Sequence, residues 1–249
     1  MWLKEPVGNI YEKESKIYNL NFLWQNDNIY IMDNHLAAGW CWLNSLDQEE
    51  SYNFFHVDQH KDLAGYLSTP EDLDRIKEQI PFDIDRYCSF TFDRGITTPA
   101  PPFNRVFSWD NYIKQLQYMF PNWFSDCYFA CTEYVTDNPR YTKFPLNIVY
   151  NATNLDIYNN INYWLSQTPG RKWIFNLDLD YFFNSEGMQL YSDEYIRAFA
   201  CNLYESLDNI AVLSIAMSPE CCGNWKKSLH VLKIFSEVFG LEEVLKIFV

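Results

Sequence analysis

Three short segments of the sequence gather the side chains that most often bind metal ions. They are Asp33-Asn34-His35, Asp58-Gln59-His60-Lys61-Asp62 and Asp178-Leu179-Asp180. In an extended segment alternate side chains face the same way, so the acids and the histidine of the middle segment would converge on one point. Carboxylates and imidazoles without a thiolate suit Mn²⁺ or a similar borderline ion better than a structural zinc site. We therefore predict a centre for two divalent ions built from His35, Asp58, His60, Asp62, Asp178 and Asp180.

The position of these segments in the chain supports that prediction. Each follows an apolar run that is typical of a strand: Ile29–Asp33, Tyr52–Asp58 and Lys172–Asp178. An isolated Asp-x-Asp pair is more often a helix cap or a solvated loop. Acids that end two buried strands are different, because burying them costs free energy unless they are paired or bound to a metal.

The remaining elements indicate how these segments are positioned. The predicted strands are the hairpin Lys16–Trp24 with Ile29–Asp33, then Tyr52–Asp58, Arg105–Phe107, Cys127–Glu133, Asn147–Asn151, Lys172–Asp178 and Ile210–Met217. The predicted helices are Leu36–Leu46, one starting at Thr69-Pro70, Asp110–Phe120, Asp156–Gln167, Ser192–Leu207 and one from Asn224 to near Gly240. Strands that alternate with helices predict an open, mostly parallel sheet covered on both faces. Ligands of such sheets lie beyond the carboxyl ends of the strands.

Length and composition fit one globular domain. The chain has 249 residues, 48% hydrophobic and 21% charged, and we expect a single domain over 1–249 whose residues 1–33 form a hairpin region leading into the sheet. The net charge of −14 argues against a nucleic-acid partner, which needs clustered Lys and Arg. It favours cationic ligands and metals, or simply solubility.

Cysteine usage and the absence of long apolar runs predict the compartment. The seven cysteines have no framework spacing, and there is no CxxC pair. Neither a signal peptide nor a run of about 18 apolar residues is evident, so we expect no membrane segment. These features predict a protein of the reducing cytoplasm with free thiols.

The metal-ligand motifs resemble those of a known enzyme superfamily. Asp58-x-His60-x-Asp62 and Asp178-x-Asp180 resemble the two aspartate motifs of the arginases and other ureohydrolases, and His35 resembles their upstream ligand histidine. Order and approximate spacing agree over most of the chain. The sequence departs from true arginases and is most similar to a divergent arginase-related family with DNH, DxHxD and DLDYF segments. That family includes peptide arginases, which convert arginine side chains of ribosomally made peptides to ornithine.

The resemblance implies a three-layer α/β/α sandwich with two Mn²⁺ ions. One ion would be held by His35, Asp58, Asp62 and Asp178, and the other by Asp58, His60, Asp178 and Asp180, so that Asp58 and Asp178 bridge. Glu220, after the last predicted core strand, resembles the acid that meets the guanidinium; alternatively it is an acid at a helix N-terminus. The loop histidine that serves arginases as a proton shuttle has no counterpart, since His56 and His230 lie in other segments. Asp62 is then a candidate catalytic proton donor.

The resulting hypothesis is the hydrolysis of peptidyl arginine to peptidyl ornithine and urea. The partner would be an arginine-containing peptide, for which the aromatic and proline-rich stretch Phe90–Trp109 could provide a surface or be an ordinary packed loop. An amide hydrolase of the deacetylase type is an alternative, although such enzymes normally use paired histidines, which this chain lacks. A binding protein stabilised by a metal is another alternative. A phosphoesterase is disfavoured because no Gly-rich or basic phosphate cradle is present.

Overall fold

A central mixed sheet organises the computed structural model, which describes residues 1–63, 68–132, 148–151, 154–167 and 170–249. Its strands are β1 (Trp2–Lys4), β2 (Leu23–Asn26), β3 (Ile29–Met32), β4 (Tyr52–Asp58), β5 (Phe124–Cys131), β6 (Ile148–Asn151), β7 (Trp173–Asp178) and β8 (Ile210–Ala216). The α-helices are α1 (Ala38–Ser45), α2 (Pro70–Lys77), α3 (Ile84–Ser89), α4 (Tyr112–Met119), α5 (Asn154–Ser166), α6 (Asp193–Glu205) and α7 (Trp225–Phe239).

The order of the strands across the sheet differs from their order in the chain. It runs β1-β2-β3-β8-β7-β4-β5-β6. From β3 to β6 every neighbouring pair is parallel, whereas β1 and β2 add an antiparallel edge. The carboxyl ends of β3, β8, β7 and β4 therefore lie side by side at one edge of the sheet, where the sequence places its acids and histidines.

Helices cover both faces of the sheet, as the sequence predicts. Successive residues of a strand point to opposite faces. Phe54 and Ile174 accordingly pack in the core beneath α1–α4, whereas Phe55 and Phe175 pack in the core beneath α5–α7. The α/β class and the α/β/α layering are thus confirmed. Buried apolar side chains on both faces hold the sheet rigid, so its strand ends are fixed points for a site.

The predicted helix starts are confirmed by their caps. The side chains of Thr69, Ser192 and Asn224 each accept a hydrogen bond from a backbone N–H of the first helical turn. Such caps satisfy N–H groups that have no partner inside the helix. At the other end of α7, Gly240 takes a φ of +68°, the left-handed conformation that commonly ends a helix.

Two predicted strands differ in the structure, and one short helix was not predicted. Lys16–Phe22 is not a strand. The backbone N–H groups of Asn21 and Phe22 donate to the Asp33 carboxylate and not to a neighbouring strand. Arg105–Phe107 contributes only an isolated bridge between Thr91 and Arg105. Helix α3 was not predicted, because its six residues are too few to show a helical period. Residues 133 and 147, at the ends of two predicted strands, lie outside the described residues.

All seven cysteines are free thiols. In the parts of the chain described above, no helix has both the length and the apolar character needed to cross a bilayer.

Candidate metal centre

The six predicted ligands converge at the carboxyl ends of β3, β4 and β7. His35 opens the 3₁₀ turn that follows β3, while Asp58 and Asp178 are the last residues of β4 and β7. Asp180 lies in the 3₁₀ turn after β7, and His60 and Asp62 lie in the loop after β4. Asp62 takes a φ of +50°, a left-handed conformation uncommon for residues other than glycine. Such backbone strain often marks functional sites.

The inner part of the centre is a single imidazole nitrogen facing three carboxylates. His35 Nδ1 lies 3.1 Å from Asp58 Oδ2, 3.0 Å from Asp62 Oδ2 and 3.2 Å from Asp178 Oδ2. All four side chains are buried. One N–H can satisfy only one of three oxygens, and the oxygens repel one another. This arrangement of atoms requires positive charge in its middle.

The outer part of the centre opens toward solvent. His60 Nδ1 lies 3.1 Å from Asp180 Oδ2 and 3.4 Å from Asp58 Oδ1. The side chain of His60 is 40% exposed, whereas Asp58 and Asp180 are buried. Asp58 therefore faces both histidines, the position required of a carboxylate that bridges two ions. Ligand atoms of Asp58, Asp178 and Asp180 also lie within 4.8 Å of one another.

The hydrogen-bonding state of these atoms fits a metal centre. His35 Nδ1, Asp58 Oδ2, Asp62 Oδ2 and Asp180 Oδ2 are buried without a hydrogen-bond partner. The second oxygens of two of these acids are fixed by backbone N–H groups: Asp58 Oδ1 accepts from His60 at 2.6 Å and Asp180 Oδ1 from Gln59 at 3.0 Å. Buried polar atoms in proteins are almost always satisfied. One oxygen of each acid is thus held in place while the other points inward, as metal ligation requires.

Charge leads to the same conclusion. The buried carboxylates of Asp58, Asp62, Asp178 and Asp180 carry four formal negative charges, which two divalent cations would neutralise. Burial raises the pKa of Asp62 and Asp178, and burial together with Asp58 raises that of Asp180 to about 6. Burial opposes a charge on His60, but Asp180 and Asp58 outweigh it and raise its pKa to about 12. These shifts show a site that takes up positive charge, as protons or as metal ions.

Asn176 sets the orientation of the buried histidine ligand. This residue lies on β7, two positions before Asp178, and its Oδ1 accepts from Ser214 Oγ at 2.7 Å and lies 2.9 Å from His35 Nε2. Since an amide oxygen can only accept, Nε2 of His35 carries a proton. In a neutral, metal-bound ring the lone pair of Nδ1 would then face the space between the carboxylates. Hydrogen bonds of this kind fix the tautomer and ring orientation of metal-bound histidines.

The amide nitrogen of Asn176 assigns a different role to His56. Asn176 Nδ2 donates to His56 Nδ1 at 2.9 Å and to the Tyr112 hydroxyl at 2.7 Å. The remaining nitrogen of His56, Nε2, therefore carries the proton and lies 3.2 Å from the backbone oxygen of His60. Burial lowers the pKa of His56 to about 4, so the ring is neutral. His56 supports the His60 loop and has no lone pair to offer an ion.

Glu220 lies outside the cluster of ligands. It is exposed, and its Oε1 accepts the backbone N–H of Ser15 at 2.5 Å. The same loop does reach the centre, because Ser218 Oγ donates to Asp178 Oδ2 at 2.5 Å. The other histidine considered from the sequence, His230, is exposed on α7 and pairs with Asp193 at 3.0 Å. Among the described residues no histidine occupies the place of a proton shuttle.

A cleft beside His60 connects the centre with the surface. Its volume is about 340 Å³, and its walls consist of Gln59, His60, Thr132, Phe183, Asn184, Ser185 and Leu190. No described residue of the stretch Phe90–Trp109 lines this cleft, and several of its aromatic rings, including Phe90 and Phe107, are buried in the core. The sequence did not indicate the loop after β7 as a cleft wall, since its residues are neutral and have no spacing pattern.

No protein-family model matches the sequence, and no curated protein matches it. The arginase of Entamoeba histolytica, solved in complex with L-ornithine, is similar at 14% identity and a TM-score of 0.47, over 86% of this chain and 69% of that chain. Similarity of this degree assigns neither activity nor substrate. The structure itself brings together six side chains of types that bind metals, four of them with unsatisfied buried atoms.

Proposed function

We propose that the protein is a hydrolase that binds two divalent cations, namely Mn²⁺, and cleaves a guanidinium group. The observation that carries this proposal is His35 Nδ1 surrounded by three carboxylate oxygens at 3.0–3.2 Å, with Asp58 shared with the His60 side. Structural metal sites are closed by their ligands, whereas this centre opens into a cleft through His60. A pair of cations in such a site supplies hydroxide near neutral pH.

The residues of the chain have distinct roles in this proposal. Asp58 and Asp178 would contribute to both ion positions, His35 and Asp62 would complete the inner one, and His60 and Asp180 would complete the outer one. Ser218, which donates to Asp178 Oδ2, keeps that carboxylate in one orientation. Asp62, whose carboxylate lies 3.0 Å from His35 Nδ1, is the proposed proton carrier to the leaving amine.

The substrate we propose is an arginine side chain within a peptide. The net charge of −14 attracts a cationic group, and the volume of the cleft beside His60, about 340 Å³, is enough to hold an arginine side chain. Phe183 and Leu190 would contact the apolar stem of the arginine. Glu220 is proposed to bind the guanidinium, which requires its carboxylate to exchange the Ser15 N–H for the substrate.

The test is urea release by protein loaded with Mn²⁺, from free arginine and from arginine-containing peptides, with the peptides followed by mass spectrometry. We expect urea and conversion of arginine to ornithine in peptides, with little action on free arginine. Glu220→Gln in the same assay should raise KM more than it lowers kcat. If metal binds but neither substrate yields urea, the proposal is wrong, and an amide hydrolase or a metal-stabilised binding protein takes its place.

A further inference from the structure

A thiol reaches the outer end of the centre. Cys221 lies in the loop between β8 and α7, and its backbone N–H donates to the carbonyl of Ser218 at 3.0 Å. Ser218 in turn donates its hydroxyl to Asp178 and takes a φ of +40°, so this loop is fixed to the centre at a strained position. The ligand atoms of His60, Asp180 and Cys221 all lie within 4.8 Å of one another.

A second feature of this corner indicates a ligand. Asp180 is fully buried, and its Oδ2 has no hydrogen-bond partner, although it lies 3.1 Å from His60 Nδ1. The thiol of Cys221 is partly exposed, and the structure gives it no hydrogen bond within the described residues. An imidazole, an unsatisfied carboxylate oxygen and a thiol that face one another form a three-donor site of the kind that binds Zn²⁺ or Co²⁺.

We propose that Cys221 Sγ is a ligand of the outer ion, beside His60 and Asp180. The inference rests on the proposed function, because the outer ion is one of its two cations, and it adds a donor that the sequence motifs do not contain. On binding, the S–H bond breaks, the proton passes to solvent and the thiolate forms the bond to the metal.

The added sulfur changes which ion the outer position prefers. Thiolate is a soft donor that selects zinc-like ions, whereas the inner position has only His35 and carboxylates. The two positions therefore differ in selectivity, with Mn²⁺ favoured inside and Zn²⁺ or Co²⁺ competing outside. A protein that is purified without added manganese should retain zinc at the outer position.

The neighbouring cysteine provides a matched control. Cys222 is buried, and its thiol donates to the carbonyl of Met217 at 3.2 Å. Within the described residues, its sulfur does not form a cluster with the ligand atoms of His60 and Asp180. Cys221→Ser and Cys222→Ser thus make the same chemical change one residue apart, and only the first removes the proposed ligand.

The test loads the metal-free full-length protein with Co²⁺ and follows the thiolate-to-cobalt charge-transfer absorption in the near ultraviolet, with bound ions counted by elemental analysis. We expect two ions and a charge-transfer band in the unmodified protein and in Cys222→Ser, and no band in Cys221→Ser. Competition against Mn²⁺ should show at least a ~10-fold loss of Zn²⁺ affinity in Cys221→Ser only, as expected for loss of a direct ligand.

The outcomes separate this inference from the proposed function. Two bound ions without a charge-transfer band, or a band that persists in Cys221→Ser, would overturn the role of Cys221 and leave the two-ion centre standing. Failure to bind ions would overturn both. A band lost equally in Cys222→Ser would show that the loop as a whole, and not the Cys221 sulfur, controls the site, and would also contradict the proposal.

Discussion

Asp33 and Asp58 are two buried acids next to strand ends, yet their surroundings are opposite. Asp33 accepts hydrogen bonds from the Ser15 hydroxyl, the Asn21 amide and the backbone N–H groups of Asn21 and Phe22. Asp58 accepts one from the His60 backbone and leaves Oδ2 without a partner, 3.1 Å from His35. Both are fully buried, so burial by itself does not distinguish a structural acid from a metal ligand.

The difference lies in how many oxygen lone pairs the protein satisfies. The carboxylate of Asp33 is enclosed by donors, which stabilise its charge and fix the segment 15–22 against the sheet. The carboxylate of Asp58 is satisfied on one oxygen only and needs an external cation on the other. Hydrogen-bond accounting of this kind identifies functional acids in a buried cluster where exposure cannot.

The largest expected effect is that of Asp58→Asn. Loss of the bridging charge should abolish urea release and weaken Mn²⁺ binding by more than the ~100-fold that loss of an outer hydrogen-bond partner costs. Metal-free Asp58→Asn should unfold at no lower temperature than the metal-free parent, because one of four clustered buried carboxylates, whose charges repel one another, becomes neutral. Calorimetric titration and thermal unfolding measure both quantities. If Asp58→Asn retained the Mn²⁺ affinity of the parent, Asp58 would not be a metal ligand, and it would not differ from Asp33 in function.

A smaller effect is expected for Asn176→Ala. Without the amide, His35 and His56 lose the contact that fixes their tautomers, so Mn²⁺ affinity should fall by ~10–100-fold. Ser214→Ala, which removes only one donor to Asn176 Oδ1, should cost less. Nitrogen chemical shifts of the two imidazoles report the tautomers directly. Unchanged shifts in Asn176→Ala would show that the surrounding carboxylates orient His35 without help.

The smallest effect on the ions is expected for Asp33→Asn. The amide cannot accept from all four donors, so the free energy of unfolding should drop by about 1–2 kcal/mol, whereas Mn²⁺ affinity stays near that of the parent. Denaturant unfolding together with metal titration measures the pair of values. A large loss of affinity, in a variant that remains folded, would mean that Asp33 belongs functionally with Asp58.

The convergence of the six candidate ligands could be predicted from the sequence because strand ends constrain the direction of the side chains that follow them. Tyr52–Asp58 was predicted with the observed bounds, and the alternating residues after it had to turn toward the same crevice. Likewise, the alternation of predicted strands and helices along the chain predicted a sheet covered by helices on both faces. These features depend on local periodicity, which a single sequence contains.

The supporting contacts were missed because they depend on neighbours distant in the chain. Asn176 occupies a buried strand position like any other, and its importance comes from His35, His56, Tyr112 and Ser214, which meet it only in the folded sheet. The direction of Glu220 toward Ser15, and of Cys221 toward His60, is set by a loop geometry that no spacing encodes. Residues 16–22 were predicted as strand because the sequence does not reveal whether a backbone group is paired with a side chain or with a neighbouring strand.

The strand order has a consequence for how the protein assembles. Of the strands that carry the candidate ligands, β7 and β4 are neighbours in the sheet, and β8 separates β7 from β3. His35 and Asp178 are nevertheless widely separated in the chain. A partly assembled chain therefore lacks the centre, and cation binding lowers the free energy of the completed fold alone. Bound ions should then slow unfolding while leaving the rate of folding nearly unchanged, which stopped-flow measurements with and without Mn²⁺ would show. If the proposed ions bind, metal binding would follow formation of the sheet and would slow its unfolding.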